Sequence, residues 1–509
     1  MNGTQQIFPG PAPEQPSPPA ALEASQPVRL GLSHWVLSFP VVLALALAVL
    51  VFYNARDRFK DPDTWWHLKV GESIWNTRSI PDRDQYSYTT GNRPWLAHEW
   101  LSQLSLYAAY RWGGYPTLWL WLAGFGSLLF ILLYVLCSLH SGNAKVSLLG
   151  GMMGWYFGTV SLALRPLILG HVFLIVELIL IHLARRHHRR WLWGLPPLFA
   201  VWVNCHGSHF FGLGVLGLYL VCSFLSFRAG LLASEPWDAR TRKLLCAILP
   251  GSVAALFVNP MGWRLPFYPL DLIFRQKANL EFITEWNALD FQSAWGMGLL
   301  VVTLVCALLV LLRRTELRLD ELLLFLAGVF VGARHTRLVF VFGILAAPLL
   351  CRLLADLWPR WEPGRDNRVA NAVMILASLA ILTAVSPGAT HLRTQVEKNH
   401  PAGAVEFIRK TGLAGPMLHD YVFGGYLIWA LPEHKVFADG RADLFVRSGV
   451  FMEYMRWSNL QEDPRVMLDK YKINFCLLQK NSAMNAVLPY IPGWKKVYSD
   501  EIAVIFARQ

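Results

Sequence analysis

The sequence predicts a mainly α-helical, polytopic membrane protein of about eleven transmembrane helices, followed by a small α/β domain. Of its 509 residues, 54% are hydrophobic and only 16% are charged, whereas soluble domains usually carry about 25% charged residues. Long apolar runs recur between residues 34 and 387, and a run of about 20 apolar residues can cross a bilayer as a helix. Beyond residue 388 the apolar runs shorten and change their period, which indicates a soluble domain.

Residues 1–33 precede the first apolar run and are rich in Pro, Ala and Gln. Such a composition is typical of disorder, so we expect a disordered tail on the cytoplasmic side. The tail lacks the basic region that opens a signal peptide. The first apolar run is therefore expected to stay in the membrane as an anchor.

The predicted transmembrane domain covers residues 34–387. The predicted spans lie at residues 34–53, 117–138, 146–163, 166–184, 191–206, 210–227, 244–259, 294–312, 321–333, 338–357 and 369–387. Basic residues collect after the fourth, sixth, eighth and tenth spans, and such alternate loops are cytoplasmic by the positive-inside rule. The loop 54–116, the loop 260–293 and the domain 388–509 are then extracytoplasmic. The same rule accounts for the net charge of +12, so no nucleic-acid partner is expected.

Strand-like and helix-like segments alternate in the C-terminal domain, which predicts an α/β fold. The predicted strands are PMLHDYVFGGYLIWAL, KVFADGRADLF, INFCLLQK and VYSDEIAVIFA, and the predicted helices are HPAGAVEFIRKTG and DPRVMLDKYK. Asp420, Asp439, Arg441 and Asp443 form either a binding edge or solvated turns, and solvated turns are the preferred interpretation.

Two carboxylates follow the first span, in the segment DPDTWWHLK. Asp61 and Asp63 are two residues apart, a spacing that suits a shared cation or a base with its orienting partner. Helix capping is the alternative, because Asp is a strong cap for a helix DTWWHLKVGESIW. The residues alone leave the two interpretations equally open.

Three histidines and a glutamate are further candidates. His98 and Glu99 are adjacent in PWLAHEWLSQ, so on a helix they point about 100° apart and reach the first-loop carboxylates only through folding of the loop. An interfacial amphipathic helix is the alternative. His206 and His209, in WVNCHGSHFFG, suit a metal or phosphate site, although Gly and Ser between them indicate a turn.

Arginines on the predicted outer side contradict the positive-inside bias and therefore need anionic partners. Arg grips phosphate through a planar fork, and the alternative is pairing with Asp61, Asp63 or Glu99. The residues of this group are Arg165, Arg334, His335 and Arg337. A weaker group comprises Asn259, Arg264, Glu281, Glu285 and Trp286. Together, these polar residues predict an extracytoplasmic cavity at the membrane boundary.

A family resemblance runs through the same segments, from about residue 34 to residue 450. The segments are DPDTWWHLKVGESIW, WVNCHGSHF, NPMGW, ITEW and the pair GGYLIW and VFADGRADLF. With an acidic loop after the first span, they are similar to bacterial membrane proteins of the GT-C glycosyltransferase superfamily. That superfamily includes protein O-mannosyltransferases and lipid A aminoarabinose transferases. The resemblance is strong to a bacterial subgroup and architectural to these two enzyme families.

The resemblance implies a sugar donor linked to polyprenyl phosphate and a glycan, lipid or protein acceptor, used at the outer face of a bacterial inner membrane. It implies a catalytic carboxylate at Asp61 or Asp63, and it makes His98 and Glu99 similar to residues that hold metal or acceptor in relatives. Arg334 and Arg337 would then grip the donor phosphate. A divalent metal ion is the one cofactor suggested, although the acidic dipeptide of the mannosyltransferases is not plainly present.

Two other functions fit a polytopic envelope protein. A flippase or transporter of lipid-linked sugars would show inverted repeats and broken helices at mid-membrane, and the sequence has no clear internal repeat. A non-catalytic scaffold for envelope assembly would use the C-terminal domain to bind partners.

Overall fold

A computed structural model of the protein describes residues 36–275 and 283–509. The predicted disordered tail, residues 1–33, lies outside these residues, and so does Glu281 of the weaker polar group.

The first part of the described chain is a bundle of helices. In chain order they are α1 (Phe39–Ala55), α2 (Asp63–Thr77), α3 (Trp100–Ser141), α4 (Ala144–Gly158), α5 (Leu167–Arg186), α6 (Leu195–Cys205), α7 (His209–Cys222), α8 (Ala239–Ala255), α9 (Arg264–Arg275), α10 (Ala294–Arg313), α11 (Leu319–Arg334), α12 (Val339–Leu354) and α13 (Arg368–Val385). All except α2 and α9 overlap a predicted span. The chain is thus mainly helical.

Among the described residues, five helices are long and apolar enough to cross a membrane: α3, α5, α10, α13, and α12 with the turn before it. Helices α10 and α13 have mostly exposed apolar segments, of which only 22% and 6% is buried. Such a surface suits contact with lipid rather than water. The number of eleven spans stays a prediction, because several of the other helices are shorter than about 20 residues.

Helix α3 begins at Trp100, inside the predicted loop 54–116, rather than at residue 117, where a span was predicted. The helix kinks at Gly113 and Gly114, and Gly114 has a φ of +66°, which only glycine adopts without strain. Pro116 follows directly. Neither glycine has helical φ and ψ, so α3 consists of two helical segments, residues 100–112 and 115–141, that meet at a kink.

A small three-stranded sheet lies between helices of the bundle. Its strands are β1 (Phe227–Ala229), β2 (Leu232–Ser234) and β3 (Leu317–Arg318), in the order β1-β2-β3. Strand β2 pairs antiparallel with β1 and parallel with β3. The sheet therefore ties the α7–α8 connection to the start of α11.

The C-terminal region combines helices with a mixed four-stranded sheet in the order β4-β5-β7-β6. Its elements are α14 (Ala389–Asn399), α15 (Ala402–Thr411), β4 (Met417–His419), α16 (Gly424–Ala430), α17 (Ala442–Ser448), α18 (Val450–Ser458), α19 (Pro464–Lys470), β5 (Phe475–Gln479), α20 (Ala483–Val487), β6 (Trp494–Ser499) and β7 (Ala503–Arg508). Strand β5 is buried along most of its length, so the sheet forms the core of this region.

Of the predicted C-terminal strands, PMLHDYVFGGYLIWAL is correct only at its start, where β4 lies, and KVFADGRADLF is wrong. The segment GGYLIWA is helix α16, and VFADGRADLF forms a turn followed by α17. Periodicity cannot separate a buried helix from a buried strand in a short apolar run. The two glycines allow α16 to pack closely against neighbouring backbone. A Cβ at Gly424 would lie 2.1 Å from the Ala438 carbonyl oxygen, and a Cβ at Gly425 would lie 2.3 Å from the Pro62 carbonyl oxygen.

The preference for solvated turns is also wrong for Asp439 and Arg441, whose side chains are fully buried. Arg441 Nη2 lies 2.6 Å from Asp439 Oδ2, and Arg441 Nη1 donates to Asp84 Oδ1 at 2.7 Å. The arginine also lies over the Trp95 ring, 5.0 Å from its centroid. A buried charge is retained only when paired, and the partner here comes from the loop that precedes α3.

The C-terminal region covers one end of the bundle, which we call the domain end. Trp65 Nε1 donates to His400 Nε2 at 3.0 Å, and His400 stacks on Tyr426 with ring centroids 5.0 Å apart. Ser87 forms a parallel bridge with Val436. These contacts hold helix α2 and the α2–α3 loop against the C-terminal region.

Candidate functional site

A cavity of about 730 Å³ lies at the domain end of the bundle. Its ionisable lining residues are Asp63, His67, His98, Glu99, Arg165, His171, His206, Glu285, Arg334, His335, Arg337, Arg441 and Asp443. Its apolar wall includes Leu167, Leu174, Phe210, Phe211, Ile273, Phe330 and Val341. The cavity thus brings most of the sequence-predicted site residues together.

The two first-loop carboxylates have different surroundings. Asp61 Oδ1 accepts a hydrogen bond from the backbone N–H of Asp63 at 2.9 Å, which caps the start of α2. Asp63 lines the cavity and accepts a hydrogen bond from Trp66 Nε1 at 3.2 Å. The capping alternative therefore describes Asp61, and Asp63 is the carboxylate that a substrate could reach.

Arg165 is surrounded by carboxylates. Its Nε lies 2.6 Å from Asp61 Oδ2, its Nη2 lies 3.2 Å from Asp63 Oδ2, and its Nη1 donates to Glu285 Oε1 at 3.1 Å. These carboxylates overcome the effect of burial and raise the pKa of Arg165. All three guanidinium nitrogens of Arg165 already contact carboxylates. The structure therefore agrees with ion pairing, the alternative interpretation of Arg165, rather than with phosphate binding.

Burial raises the pKa of Asp63 to about 6, and Arg165 opposes that effect. Asp63 is therefore mostly ionised at neutral pH but close to titration, since one pH unit above a pKa leaves about a tenth of the acid protonated. A carboxylate with that property can accept a proton from a bound hydroxyl.

Glu99 lies among three histidines. Its carboxylate oxygens are 3.4 Å from His206 Nε2, 3.8 Å from His98 Nε2 and 3.9 Å from His67 Nδ1. Burial raises the pKa of Glu99 to about 8 and lowers the pKa of His98 to about 4, and it also lowers the pKa of His67. At neutral pH Glu99, His67 and His98 are therefore largely uncharged.

Asp61 and His209 do not line this cavity, and neither do Asn259 and Arg264 of the weaker polar group. His209 has another role. It is the first residue of α7, and its two ring nitrogens lie 3.3 Å from the carbonyl oxygens of His206 and Pro266. The extended conformation of His206 separates the two histidines. The chain therefore turns between the two histidines, as the Gly and Ser between them indicated.

The junction between α11 and α12 supplies two further guanidinium groups. Arg337 Nη1 donates to Glu285 Oε2 at 3.0 Å and lies over the Trp286 ring. His335 Nδ1 donates to the Trp286 carbonyl oxygen at 2.6 Å. Arg334 lines the cavity, and within residues 36–275 and 283–509 it has no carboxylate partner. Burial raises the pKa of Glu285, but Arg337 and Arg165 outweigh it, so the net pKa is lowered.

The C-terminal region contributes residues that the sequence did not assign to a site. A Cβ at Gly440 would lie 1.9 Å from Asp63 Oδ1, so the backbone there packs directly on the carboxylate. Burial raises the pKa of Asp443 to about 6, and Asp443 and Tyr268 both line the cavity. The triplet Asp439-Gly440-Arg441 matches no motif that predicts this contact. The only indication in the sequence is that its charged residues interrupt an otherwise apolar segment.

The metal prediction has little support from the side-chain arrangement. Among the described residues, no group of three or more His, Cys, Asp or Glu side chains is arranged to hold a metal ion. Asp61, Asp63 and Glu285, which could otherwise share a cation, surround Arg165. The positive charge at that point is therefore a guanidinium, and the residues do not fit a metal ion there.

No protein-family model and no curated protein matches this chain. Solved structures do match it. The oligosaccharyltransferase AglB of Archaeoglobus fulgidus, in complex with an inhibitory peptide and a dolichol-phosphate, has a TM-score of 0.54 and 10% identity over 86% of this chain and 69% of that one. The Archaeoglobus fulgidus oligosaccharyltransferase in complex with Zn and sulfate has a TM-score of 0.53 and 11% identity over 91% and 73%.

ArnT from Cupriavidus metallidurans, bound to undecaprenyl phosphate, has a TM-score of 0.50 and 14% identity and covers 94% of this chain and 98% of that one. Identities this low establish the shared fold rather than a shared substrate. That fold is the one anticipated from the sequence.

Proposed function

The chain has the fold of the GT-C membrane glycosyltransferases, and from this premise we propose that it transfers a sugar from a polyprenyl-phosphate donor to an acceptor hydroxyl. The observation that carries the proposal is the position of Asp63. This carboxylate is held by Arg165 at the wall of a cavity that also contains Arg334 and Arg337. A base and phosphate-binding groups in one cavity are what such a transfer requires.

The donor fits the two kinds of surface that line the cavity. The apolar residues Ile273, Phe330 and Val341 suit a prenyl chain, and Arg334 and Arg337 suit its phosphate. AglB and ArnT were solved with dolichol-phosphate and undecaprenyl phosphate respectively. We assign the chain to a bacterial inner membrane, with residues 34–387 as the transmembrane domain and residues 388–509 as an extracytoplasmic domain.

The proposed reaction uses the residues of the chain itself. Asp63 accepts the proton of the acceptor hydroxyl, and the acceptor oxygen forms a bond to the anomeric carbon of the sugar. The bond between that carbon and the phosphate oxygen breaks, and Arg334 and Arg337 stabilise the phosphate that leaves. Arg165 positions Asp63, and the protonated Glu99 donates a hydrogen bond to the bound substrate.

A matched pair of substitutions tests the role of Asp63. Asp63→Asn removes the base without changing its shape, and we expect transfer to fall about 10²- to 10⁴-fold, the contribution of general base catalysis. Asp57→Asn is the control, because the Asp57 side chain is 68% exposed and does not line the cavity. The assay follows labelled sugar from a polyprenyl-phosphate donor, in membranes, with insertion checked by immunoblot.

Equal transfer by both variants would contradict the assignment of the base. Transbilayer movement of the labelled lipid-linked sugar without its consumption would identify a flippase instead. Loss of function on deletion of residues 388–509, with both Asn variants fully functional, would identify a scaffold.

A further inference from the structure

A second cavity, of about 620 Å³, adjoins the first. The first loop, helix α9 and helix α17 line it, and it shares Trp95, Tyr268 and Asp443 with the first cavity. Tyr268 stacks on His98, with ring centroids 4.1 Å apart, and His98 is next to Glu99. These three shared residues therefore separate the second cavity from the site of the proposed reaction.

Aromatic rings dominate the second cavity. Trp263, Phe267 and Phe274 line it and are 67%, 50% and 71% exposed. The faces of such rings carry a negative potential that attracts the polarised C–H groups of a sugar ring. Large exposed aromatic side chains that share a cavity are typical of binding surfaces rather than of isolated surface residues.

Charged groups complete the lining. Three carboxylates, Asp82, Asp271 and Asp443, face two guanidinium groups, Arg264 and Arg447. Arg447 pairs with Asp271, which leaves the carboxylates in excess. Carboxylates accept hydrogen bonds from hydroxyl groups and repel phosphate. The charge therefore favours a ligand with many hydroxyl groups over an anionic lipid headgroup.

The backbone around the cavity argues against a peptide. An extended peptide gains much of its affinity by adding a strand to an open sheet edge. The lining residues of this cavity belong to helices and loops, and none of them lies in β1 to β7 of the described chain.

We propose that the second cavity binds a saccharide, which is the acceptor of the transfer. The acceptor role rests on the proposed function, whereas the binding of a saccharide does not. The sugar rings pack on Trp263 and Phe267, their hydroxyl groups bond to Asp82 and Asp443, and the reacting hydroxyl passes Tyr268 toward Asp63.

Photocrosslinking on the full chain in native membranes tests the proposal without assuming which saccharide binds. Phe267→Cys, labelled with a benzophenone maleimide, places the probe in the cavity. Cys246→Ser removes the exposed native cysteine, and the other six cysteines are buried. Trp112→Cys and Tyr490→Cys are the controls, since both side chains are more than four-fifths exposed, at 88% and 86%, outside the cavity.

We expect adducts that contain glycan from position 267 and not from the controls, as identified by mass spectrometry. Peptide or phospholipid adducts from position 267, or no adduct beyond those of the controls, would overturn the proposal.

Kinetics separate this inference from the proposed function. Trp263→Ala should raise the KM for the acceptor about tenfold, the effect of losing one packing contact in a specificity pocket, with kcat and donor binding unchanged. If Trp263→Ala consumes the donor with an unchanged acceptor KM, the saccharide site is refuted and the transferase is not. If position 267 gives glycan adducts but the wild-type protein consumes no donor, the transferase is refuted and the saccharide site is not.

Discussion

The contact between Gly440 and Asp63 makes a sharp prediction, because the two residues belong to distant parts of the chain. In Gly440→Ala, the new Cβ would lie 1.9 Å from Asp63 Oδ1 and 2.8 Å from Trp66 Nε1. Ordinary contacts of a Cβ begin near 3.4 Å, so the carboxylate must move by about 1.5 Å. That movement is enough to break the 3.2 Å contact of Asp63 with Arg165 Nη2.

A displacement of about 1 Å at a reacting group can cost about 10²-fold in rate. We therefore expect Gly440→Ala to reduce kcat by about two orders of magnitude and to leave the donor KM nearly unchanged, because Arg334 and Arg337 are not in this contact. Gly388→Ala is the matched control, since a Cβ there has no heavy atom within 4 Å.

The assay measures transfer from a polyprenyl-phosphate donor by detergent-purified protein, together with the melting temperature of each variant. A Gly440→Ala protein within about threefold of wild type, in a preparation where Asp63→Asn is inactive, would refute the placement of the base against this backbone. A large drop in melting temperature with no loss of kcat at low temperature would also refute it, because the effect would then be on stability alone.

Three further outcomes are expected. Arg441→Met removes the cationic partner of two buried carboxylates, Asp84 and Asp439, so the free energy of unfolding should fall by about 3 to 5 kcal/mol, and an unchanged thermal melt would contradict the buried network. The rate should rise as pH passes about 6, where Asp63 ionises, and fall as pH passes about 8, where Glu99 loses its proton; Glu99→Gln should abolish only the fall in a pH profile of kcat/KM. Arg334→Ala should raise the donor KM about tenfold or more by removing one charged hydrogen bond, and an unchanged donor KM would exclude Arg334 from the phosphate site.

The sequence predicted the helical part of the fold because lipid imposes a simple rule on it. A spanning segment needs about 20 apolar residues and no unpaired backbone, so apolar runs place the helices to within a few residues. The ends of the helices are set by weaker sequence signals than the apolar runs. Gly113 and Gly114, whose φ and ψ are not helical, separate residues 100–112, which were predicted as loop, from the predicted span that follows.

The candidate site could be assembled from the sequence only as a set of residue types. Carboxylates, imidazoles and guanidinium groups on one predicted side of the membrane were expected to converge, and Asp63, Glu99 and Arg337 do line one cavity. The sequence could not tell which of the two carboxylates lines the cavity. That depends on the local turn in which Asp61 accepts a hydrogen bond from the backbone N–H of Asp63. The close approach of Gly440 depends on a contact between distant parts of the chain, which no local pattern encodes.

The ion pair between Asp84 and Arg441 joins residues that are 357 positions apart. During synthesis, the first loop leaves the ribosome long before its partner does. The helices can insert one after another, but the wall that backs Asp63 is missing until residue 441 has emerged. In a nascent chain this part of the cavity wall is therefore missing, and the complete cavity forms only when the C-terminal region folds onto the first loop, not step by step as each helix inserts.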